Sequence, residues 1–268
     1  MQVFTLETAS TKSRPAAQGA DLLAVVTRLK PALLADLDAD HLAALLTEVS
    51  LVHIRRPKDI LHQGQAADWI YLIIKGRIEV NYLDINGNRV MAHLATPGEV
   101  LGEVEQFSGR TCAASCTTLP DTTLMLMDAA MVLRHVPADL LMRNFAKIFH
   151  DRLTRDNRQH SVAMFYAAED RIRINLLTMT SAETPQIHLN QADLAAIAGC
   201  SRQTVNKTLS QLRAEGIVAM GRGEIRVLDR ARLKTARPGG DRMLPDEGLG
   251  GFARAPDAAR PLAVMPKA

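Results

Sequence analysis

The side chains best suited to recognition chemistry lie close together near the C-terminus, on one face of a predicted short helix. The set is polar or cationic and comprises Ser201, Arg202, Gln203, Thr204, Asn206 and Lys207. An Arg can donate two hydrogen bonds to guanine and a Gln can pair with adenine, while a Ser or Thr at a helix start can hold a backbone phosphate. The set therefore predicts a surface that reads double-stranded DNA.

Two short helices joined by a glycine turn would position this surface. Asn190 can cap the first helix, with Asp193 three residues later as in a capping box, and Gly199 makes the turn. Ser201 can cap the second helix, which runs from Arg202 to about residue 215. Its inner side is predicted to hold the apolar residues Val205, Leu209 and Leu212. This spacing is that of a helix-turn-helix.

The chain beyond the second helix indicates a small hairpin. Residues 217–220 and 224–227 are strand-like and flank a turn at 221–223, so the unit is predicted to be a winged helix-turn-helix. The alternative is an ordinary pair of helices with a charged outer face. The local charge favours the first interpretation.

The charge is distributed unevenly along a chain whose net charge is only +3. Residues 1–170 hold 17 Lys and Arg against 20 Asp and Glu, whereas residues 171–235 hold 10 against 5. The remaining tail holds 5 against 4. We therefore expect the C-terminal half to meet any polyanion and its basic excess to form a phosphate-facing surface.

The middle of the chain is predicted to be an all-β roll or barrel. Between about residues 53 and 127, short runs of aliphatic residues alternate with glycine turns. Residues 70–74, 78–80 and 90–94 read as strands, and the Asn86-Gly87 pair suits a tight hairpin between the last two. Helical spacing between Asp21 and Leu51, interrupted by Pro31, predicts two or three short helices before the roll.

A long helix is predicted to follow the roll, because residues 138–180 contain neither Pro nor Gly. Its apolar residues include Leu141, Phe145, Ile148, Phe149 and Val162. A helix of this length cannot be buried by one small domain, so we expect it to be a connector and a partner interface. Residues 154–161 are polar on every face and are either solvated or turned towards a ligand or a partner.

The two ends of the chain lack sustained periodicity. Residues 1–20 are predicted to be a disordered arm, and residues 236–268, where Gly and Pro recur without a period, a disordered tail. No window has the length and apolarity of a membrane span, and no signal peptide is apparent. Three cysteines cannot form a disulfide framework, so the cytoplasm is the expected location.

The order of these elements, together with four groups of residues, resembles the Crp/Fnr family of bacterial transcription regulators. The matching stretches are residues 59–64 (DILHQG), 71–80 (YLIIKGRIEV), 97–103 (PGEVLGE) and, in the helix-turn-helix, 199–205 (GCSRQTV). The resemblance runs from about His53 to Leu228. It is specific for the family but not for the ligand.

The resemblance implies an α+β architecture. An N-terminal jelly-roll-like β-roll sensing domain with its helical lead-in occupies residues 21–137, a long dimerisation helix 138–167, and a winged helix-turn-helix DNA-binding domain 168–235. It also implies a homodimer on a near-palindromic site and contacts with RNA polymerase. Gln203 and Lys207 differ from the Glu and Arg of the cyclic-AMP receptor protein, so we expect a related but different half-site.

An effector pocket is also implied by the resemblance. Cyclic-nucleotide-binding members hold the ribose with a Gly-Glu pair, present here as Gly102 and Glu103, and clamp the phosphate with Arg-Ser. The Arg-Ser position falls on Thr111-Cys112 or Cys112-Ala113, so cyclic AMP is not the first choice. Arg110, one or two residues earlier, offers the alternative of a cyclic-nucleotide-dependent regulator. A roll without ligand control is a further alternative.

Other cofactors receive little support from the sequence. Residues 1–111 contain no Cys, so no iron–sulfur cluster is expected. Cys112 and Cys116 are expected to be buried on one predicted strand, too far apart for a disulfide, and Cys200 to be packed in the helix turn. His62, His93, His150 and His160 leave haem open, although packing is the favoured role of each.

Enzyme chemistry has no visible machinery in the sequence. A Walker loop, a nucleophile elbow, a paired-carboxylate arrangement and a compact metal-ligand spacing are all lacking, so no catalytic residue and no metal site are predicted. A regulatory module of an enzyme remains the second hypothesis. The effector, the target genes and the direction of regulation are not encoded in any recognisable pattern.

Overall fold

The computed structural model describes residues 16–87, 89–221 and 223–235, with side chains from residue 21 onward. The chain divides into two compact units between Ser161 and Val162. Helix α1 covers Ala16–Leu29, so residues 16–20, assigned from the sequence to a disordered arm, are helical. Residues 1–15 and the predicted disordered tail, 236–268, lie outside the described residues, and those predictions stay predictions.

The first unit is the predicted jelly-roll-like β-roll with helices around it. Its helices, besides α1 and a short 3-10 turn at Ala32–Leu34, are α2 (Ala39–Glu48), α3 (Glu103–Ser108), α4 (Ala129–His135) and the start of α5 (Ala138–Phe165). Its strands are β1 (Ser50–Ile54), β2 (Asp59–Leu61), β3 (Ile70–Lys75), β4 (Ile78–Leu83), β5 (Arg89–Ala95), β6 (Val100–Leu101), β7 (Ser115–Thr118) and β8 (Thr122–Met127).

Two four-stranded antiparallel sheets form the roll, in the orders β1-β8-β3-β6 and β2-β7-β4-β5. The predicted strands at 70–74, 78–80 and 90–94 are confirmed, each slightly longer than expected. Gly87 lies in the hairpin turn between β4 and β5, where its N–H donates to the carbonyl of Asp84 at 3.0 Å. The Asn-Gly prediction of a tight connection is therefore confirmed.

Strands β3 and β8 are buried on both faces, which explains their continuous apolar sequence. Ile70 and Leu72 pack towards the helices together with residues of α1, α2, α4 and α5. Tyr71 and Ile73, which alternate with them, pack into the interior of the roll with Leu124. The first unit thus has two apolar layers that share one sheet.

Helix α5 ends at Phe165, and a separate helix α6 (Ala168–Met179) follows, so the Pro- and Gly-free stretch is two helices. Leu141 and Ile148 are buried in the core that faces the roll, and Phe145 packs against that core. The apolar periodicity therefore records an intramolecular face, which corrects its interpretation as the partner interface. Of the five predicted residues, Phe149 is 46% exposed and Val162 packs in the second unit.

The second unit is the predicted winged helix-turn-helix. It contains α6, β9 (Gln186–His188), α7 (Gln191–Ala198), α8 (Arg202–Ala214), β10 (Val218–Gly221), β11 (Glu224–Val227) and α9 (Arg230–Lys234). The predicted hairpin is β10 and β11, and β9 adds a third strand beside β11 that the sequence analysis missed. Among the described residues, no helix combines the length and apolarity needed to cross a membrane.

Candidate DNA-reading surface and effector pocket

Helix α8 begins as its sequence predicts. Ser201 Oγ accepts the backbone N–H of Thr204 at 3.1 Å, and the two hydroxyls lie 2.9 Å apart. Before the turn, Asn190 Oδ1 accepts the N–H groups of Ala192 and Asp193 at 2.8 and 2.9 Å. Gly199 ends α7, as predicted. These caps fix the starting points of both helices, and hence the direction in which α8 presents its first turns.

The two sides of α8 differ sharply in burial. Val205, Leu209 and Leu212 are buried in the core of the second unit, which confirms all three predicted inner residues, and Thr208 is buried beside them. The opposite side exposes Ser201, Arg202, Gln203, Asn206 and Lys207, while Thr204 is half-buried. The candidate base-reading side chains thus share one accessible face. This is the arrangement required of a helix that enters a major groove.

One arginine outside the predicted set holds the turn between α7 and α8. Arg171, on α6, donates from Nε to the carbonyl of Ala198 at 2.7 Å and from Nη2 to that of Gly199 at 2.8 Å. Its Nη1 donates to the carbonyl of Tyr166 at 3.1 Å. Three charge-assisted bonds therefore tie the end of α7 to the segment that precedes α6. Arg171 is a positioning residue for the recognition helix.

Several further arginines of the basic segment are also used internally. Arg173 donates to the carbonyl of Thr235 at 3.1 Å, and Arg230 to that of Leu177 at 2.8 Å. Arg232 donates to the carbonyl of Glu215 at 2.9 Å. The expectation that the whole basic excess faces phosphate is therefore corrected, because these cations satisfy helix-end carbonyls instead. Arg202 and Lys207 remain as exposed cations on the reading face.

The predicted effector pocket is centred on Glu103, whose side chain is fully buried. Gly102 precedes it with φ 84°, and a Cβ at that glycine would lie 2.5 Å from the carbonyl oxygen of Trp69. A larger residue would therefore push the segment away from β3. The glycine allows the chain to turn tightly and to begin α3 with its acidic side chain directed inwards.

Glu103 is paired with a cation from the long helix. Arg152 Nη2, on α5, lies 2.6 Å from Glu103 Oε1 and also donates to the carbonyl of Val100 at 3.0 Å. Neither carboxylate oxygen of Glu103 has a well-directed hydrogen bond within the described part of the chain. Burial raises the pKa of Glu103, and the nearby Arg152 opposes this only in part. The site therefore has unused capacity to accept hydrogen bonds.

The residues at the phosphate-clamp position point in different directions. Arg110 and Thr111 are exposed, whereas Cys112 is buried in the interior of the roll. The backbone of Cys112 fixes this placement, because its N–H donates to Gln65 at 2.7 Å and its carbonyl accepts from Gly64 at 2.8 Å. The donor set around Glu103 thus contains no cation at the position from which family members bind a cyclic phosphate.

The cysteines behave as packed apolar residues. All three are free, and Cys112 and Cys116 are buried. Cys112 lies before β7 rather than on it, which corrects the prediction that both share one strand. Burial raises the pKa of the Cys112 thiol, and raises that of Cys116 to about 12. No group of three or more possible metal ligands occurs among residues that the structure describes.

The polar middle of α5 is turned partly towards the roll. Arg155 lies 3.9 Å from Glu99, which in turn lies 2.7 Å from Nε2 of the buried His93. Gln159 donates to the carbonyl of Ala92 at 3.1 Å. Burial alone would raise the pKa of Glu99, but bonds from His93 and Thr96 outweigh it and lower the pKa. His93 is thus a packed, paired residue, as the sequence favoured.

Comparisons with known proteins agree with this geometry. The model of the cyclic nucleotide-binding domain matches residues 51–136, and that of the Crp-like helix-turn-helix domain matches residues 171–236. The chain is similar to the cyclic AMP receptor protein of Thermus thermophilus, with 29% identity over 181 residues that cover 66% of this chain and 83% of that protein. The chain belongs to the Crp/Fnr family.

Other Crp/Fnr proteins support the assignment over much of their length. A CRP-like cAMP-activated global transcriptional regulator of Mycobacterium tuberculosis is 25% identical over 202 residues, covering 72% of this chain and 90% of the relative. The structure of FixK2 from Bradyrhizobium japonicum superimposes with a TM-score of 0.60 at 21% identity, covering 69% of this chain and 95% of that one. The latter likeness shows the fold alone. The protein is a DNA-binding transcription regulator of the Crp/Fnr type.

Proposed function

We propose that this Crp/Fnr regulator binds a near-palindromic DNA site as a homodimer in the cytoplasm, contacts RNA polymerase there, and is controlled by an effector other than cyclic AMP or by none. The observation that carries the DNA-reading part is the capped helix α8. It presents Arg202, Gln203 and Asn206 on one exposed face above a buried apolar face. These are donors and acceptors suited to base edges in a major groove.

An exposed apolar stripe on α5 supports the homodimer. Met142, Phe149 and Leu153 are 71%, 46% and 61% exposed and are spaced by seven and four residues. Large apolar side chains at such spacing favour pairing with a second helix, because pairing removes them from water. Two identical subunits present two copies of α8, and a two-fold axis makes the preferred site near-palindromic.

Selection from random duplexes tests the DNA-reading proposal. We expect an enriched near-palindromic sequence with half-site centres about one helical turn, roughly 10 bp, apart. Because Gln203 and Lys207 differ from the corresponding residues of the cyclic-AMP receptor protein, the half-site should differ from that receptor's. Enrichment of no sequence, or of that receptor's own consensus, would contradict the proposal.

Sedimentation measurements test the dimer. The substitution Leu153→Asp places a charge in the proposed apolar seam, and we expect it to shift the protein towards monomer and weaken site-specific binding. The matched control is Arg143→Asp, which changes an exposed position on the same helix. Equal sedimentation of Leu153→Asp and the unchanged protein would show that this stripe is not the interface.

The effector proposal follows from the pocket itself, which can bind the hydroxyl groups of a cyclic nucleotide but lacks the cation that clamps its phosphate. Glu103 can accept hydrogen bonds from a ligand that bears hydroxyl or amino donors. A cyclic phosphate, however, would meet the buried thiol of Cys112 where the family supplies a cation. An anion placed in a buried site loses its hydration, and the cation of Arg152 beside Glu103 is already paired with that carboxylate. The relatives named above carry cyclic AMP in their names, whereas this chain lacks the Arg-Ser pair with which cyclic-nucleotide-binding family members clamp the phosphate.

Calorimetric titration with cyclic AMP tests this departure. We expect no saturable heat for the unchanged protein, and weak binding to emerge in a Cys112→Arg/Ala113→Ser variant that restores the clamp. Tight binding by the unchanged protein would overturn the proposal. In that event, loss of binding in Arg110→Gln would identify Arg110 as the phosphate ligand and support the cyclic-nucleotide alternative.

A further inference from the structure

One contact on the outer side of the helix-turn-helix joins the predicted reading residue Asn206 to a residue outside the predicted set. Gln191, the first residue of α7, donates from Nε2 to Oδ1 of Asn206 on α8 at 3.5 Å. Asn206 is exposed and Gln191 is half-buried. An exposed side chain on the reading face of α8 therefore has a partner on the neighbouring helix.

The separation of the two amides is set by a rigid framework. Asn190 caps α7 immediately before Gln191 and fixes the backbone from which the Gln191 side chain starts. Leu194, further along α7, is buried in the same core as Val205 of α8. Arg171 holds the turn between the two helices. The pair therefore belongs to the folded unit itself and does not need DNA to bring it together.

The contact fixes how the amide of Asn206 is turned. An Asn amide carries an acceptor, Oδ1, and a donor, Nδ2, on opposite sides of one carbon atom. Because Oδ1 is directed towards Gln191, Nδ2 is directed away from α7. The assignment of the two atoms rests on this hydrogen bond. Nδ2 has no protein partner within the described residues, so its hydrogens are available to DNA.

Asn206 is placed to read a different base pair from Arg202. The two residues are four positions apart, so they lie on the same face of α8 and about 6 Å apart along its axis. Successive base pairs are stacked about 3.4 Å apart. Effects that act through Asn206 can therefore be separated from effects that act through Arg202 in a selected half-site.

We propose that Gln191 is a positioning residue that determines specificity, because it turns the Asn206 amide so that its NH2 group reads a hydrogen-bond acceptor on a base. The inference rests on the proposed DNA-reading function. In the major groove, guanine offers N7 and O6 as acceptors and thymine offers O4. Bidentate pairing of Asn with adenine uses Oδ1 and Nδ2 together, and Gln191 holds Oδ1 away from that geometry. We therefore expect guanine or thymine at the base that Asn206 reads.

Base preference at the position read by Asn206 tests the inference, using the full-length protein and the half-site that it enriches from random duplexes. Asn206→Ala identifies the position, because discrimination should be lost there alone. Gln191→Ala releases the amide, and we expect the preference of the unchanged protein for guanine or thymine to fall about fivefold, which corresponds to one neutral hydrogen bond. The position read by Arg202 should be unaffected. Competition gel shifts with single-base variants of the site measure both positions.

The substitution Gln191→Glu makes the sharper test. A carboxylate accepts hydrogen bonds and donates none, so it attracts Nδ2 of Asn206 and turns Oδ1 towards the groove. The preference at that position should then change to cytosine or adenine, whose amino groups donate. Gln211→Glu makes the same chemical change at an exposed position of α8 and is the matched control. We expect it to leave every base preference as it is.

Double variants separate an effect through Asn206 from a direct contact of Gln191 with DNA. In an Asn206→Ala background, Gln191→Ala and Gln191→Glu should leave base preference unchanged. A preference that still follows residue 191 in that background would overturn the inference. So would a preference of the unchanged protein for adenine or cytosine, or Gln191 variants that retain the original preference.

Thermal unfolding of each variant at the temperature of the unchanged protein shows that it is folded. Enrichment of no sequence by the unchanged protein would contradict the proposed DNA reading itself, and the inference with it. The other adverse outcomes leave that function in place and reject only the role of Gln191, so the two failures are distinguishable.

Discussion

The recognition helix α8 and the Glu103 site handle polar side chains in opposite ways. On α8 the candidate ligands Arg202 and Gln203 are exposed and available to an incoming molecule. In the roll, Glu103 is fully buried, and the cation of Arg152 already lies beside it. A surface that reads DNA can remain hydrated until it binds, whereas a buried carboxylate needs a partner at all times. The side chains on α8 are therefore accessible to DNA, whereas the charge of Glu103 is compensated within the protein by Arg152.

The largest expected effect comes from breaking the buried pair. Arg152→Met leaves the carboxylate of Glu103 without its cation, and we expect the unfolding free energy of the roll to fall by about 3 kcal/mol. Urea denaturation followed by near-UV circular dichroism measures it. The double variant Glu103→Gln/Arg152→Met should regain most of this loss. Equal destabilisation of the single and double variants would mean that the pair is not the cause.

A somewhat smaller effect is expected at Arg171, a half-buried cation that supports the exposed surface. Arg171→Met removes three bonds to backbone carbonyls, and we expect about 2 kcal/mol less stability of the second unit and weaker binding to every DNA sequence. Arg226→Met, which removes one bond to Gln186 on the wing, is the control. A change confined to one base-pair position would contradict a positioning role for Arg171.

The exposed surface itself should respond in a sequence-dependent way. Arg202→Ala is expected to cost about 1–3 kcal/mol at one base-pair position and to relax specificity there. Arg213→Ala, at the far end of α8, should preserve base preference. Competition gel shifts with single-base variants of the selected site measure both. Uniform weakening across all sites would show that Arg202 contacts phosphate rather than a base.

The smallest effect concerns pH and separates the two carboxylates beside β6. The raised pKa of Glu103 means that its contribution to stability is present at low pH and is lost as the pH rises through that pKa. The lowered pKa of Glu99 means the reverse, a contribution present above its ordinary value of 4.5 and lost as the pH falls. Gln resembles a protonated carboxyl group, so Glu103→Gln and Glu99→Gln should both match the unchanged protein most closely near about pH 4. Towards about pH 8 we expect the unfolding free energies to separate, with Glu103→Gln more stable and Glu99→Gln less stable than the unchanged protein.

Local sequence predicted the reading head well because its determinants are local. Asn190 and Ser201 cap helices within three residues of themselves, and the period of Val205, Leu209 and Leu212 identifies a buried face directly. The same reasoning failed for α5. Periodicity identifies an apolar face of a helix but not the element that covers it. The sequence therefore places Leu141 and Ile148 in the interface with a partner subunit, whereas they pack in the core of the first unit.

Long-range partners explain what the sequence could not supply. Arg152 is 49 positions from Glu103, and Arg171 is 27 from Ala198, so no local spacing identifies either contact. For the same reason, the sequence overstates how many cations of residues 171–235 face DNA. A guanidinium that caps a helix end and one that faces solvent are written with the same letter, and only the fold tells Arg173 from Arg202.

The sequence by itself determined the family, the order of the domains and the residues of the recognition helix, because caps, glycine turns and apolar periods act over a few residues. The tertiary structure decided which charges are internal. It paired Glu103 with Arg152 and buried Cys112 at the phosphate-clamp position. Those outcomes depend on which distant segments the sheets bring together, and that pairing is settled by the packing of the whole domain.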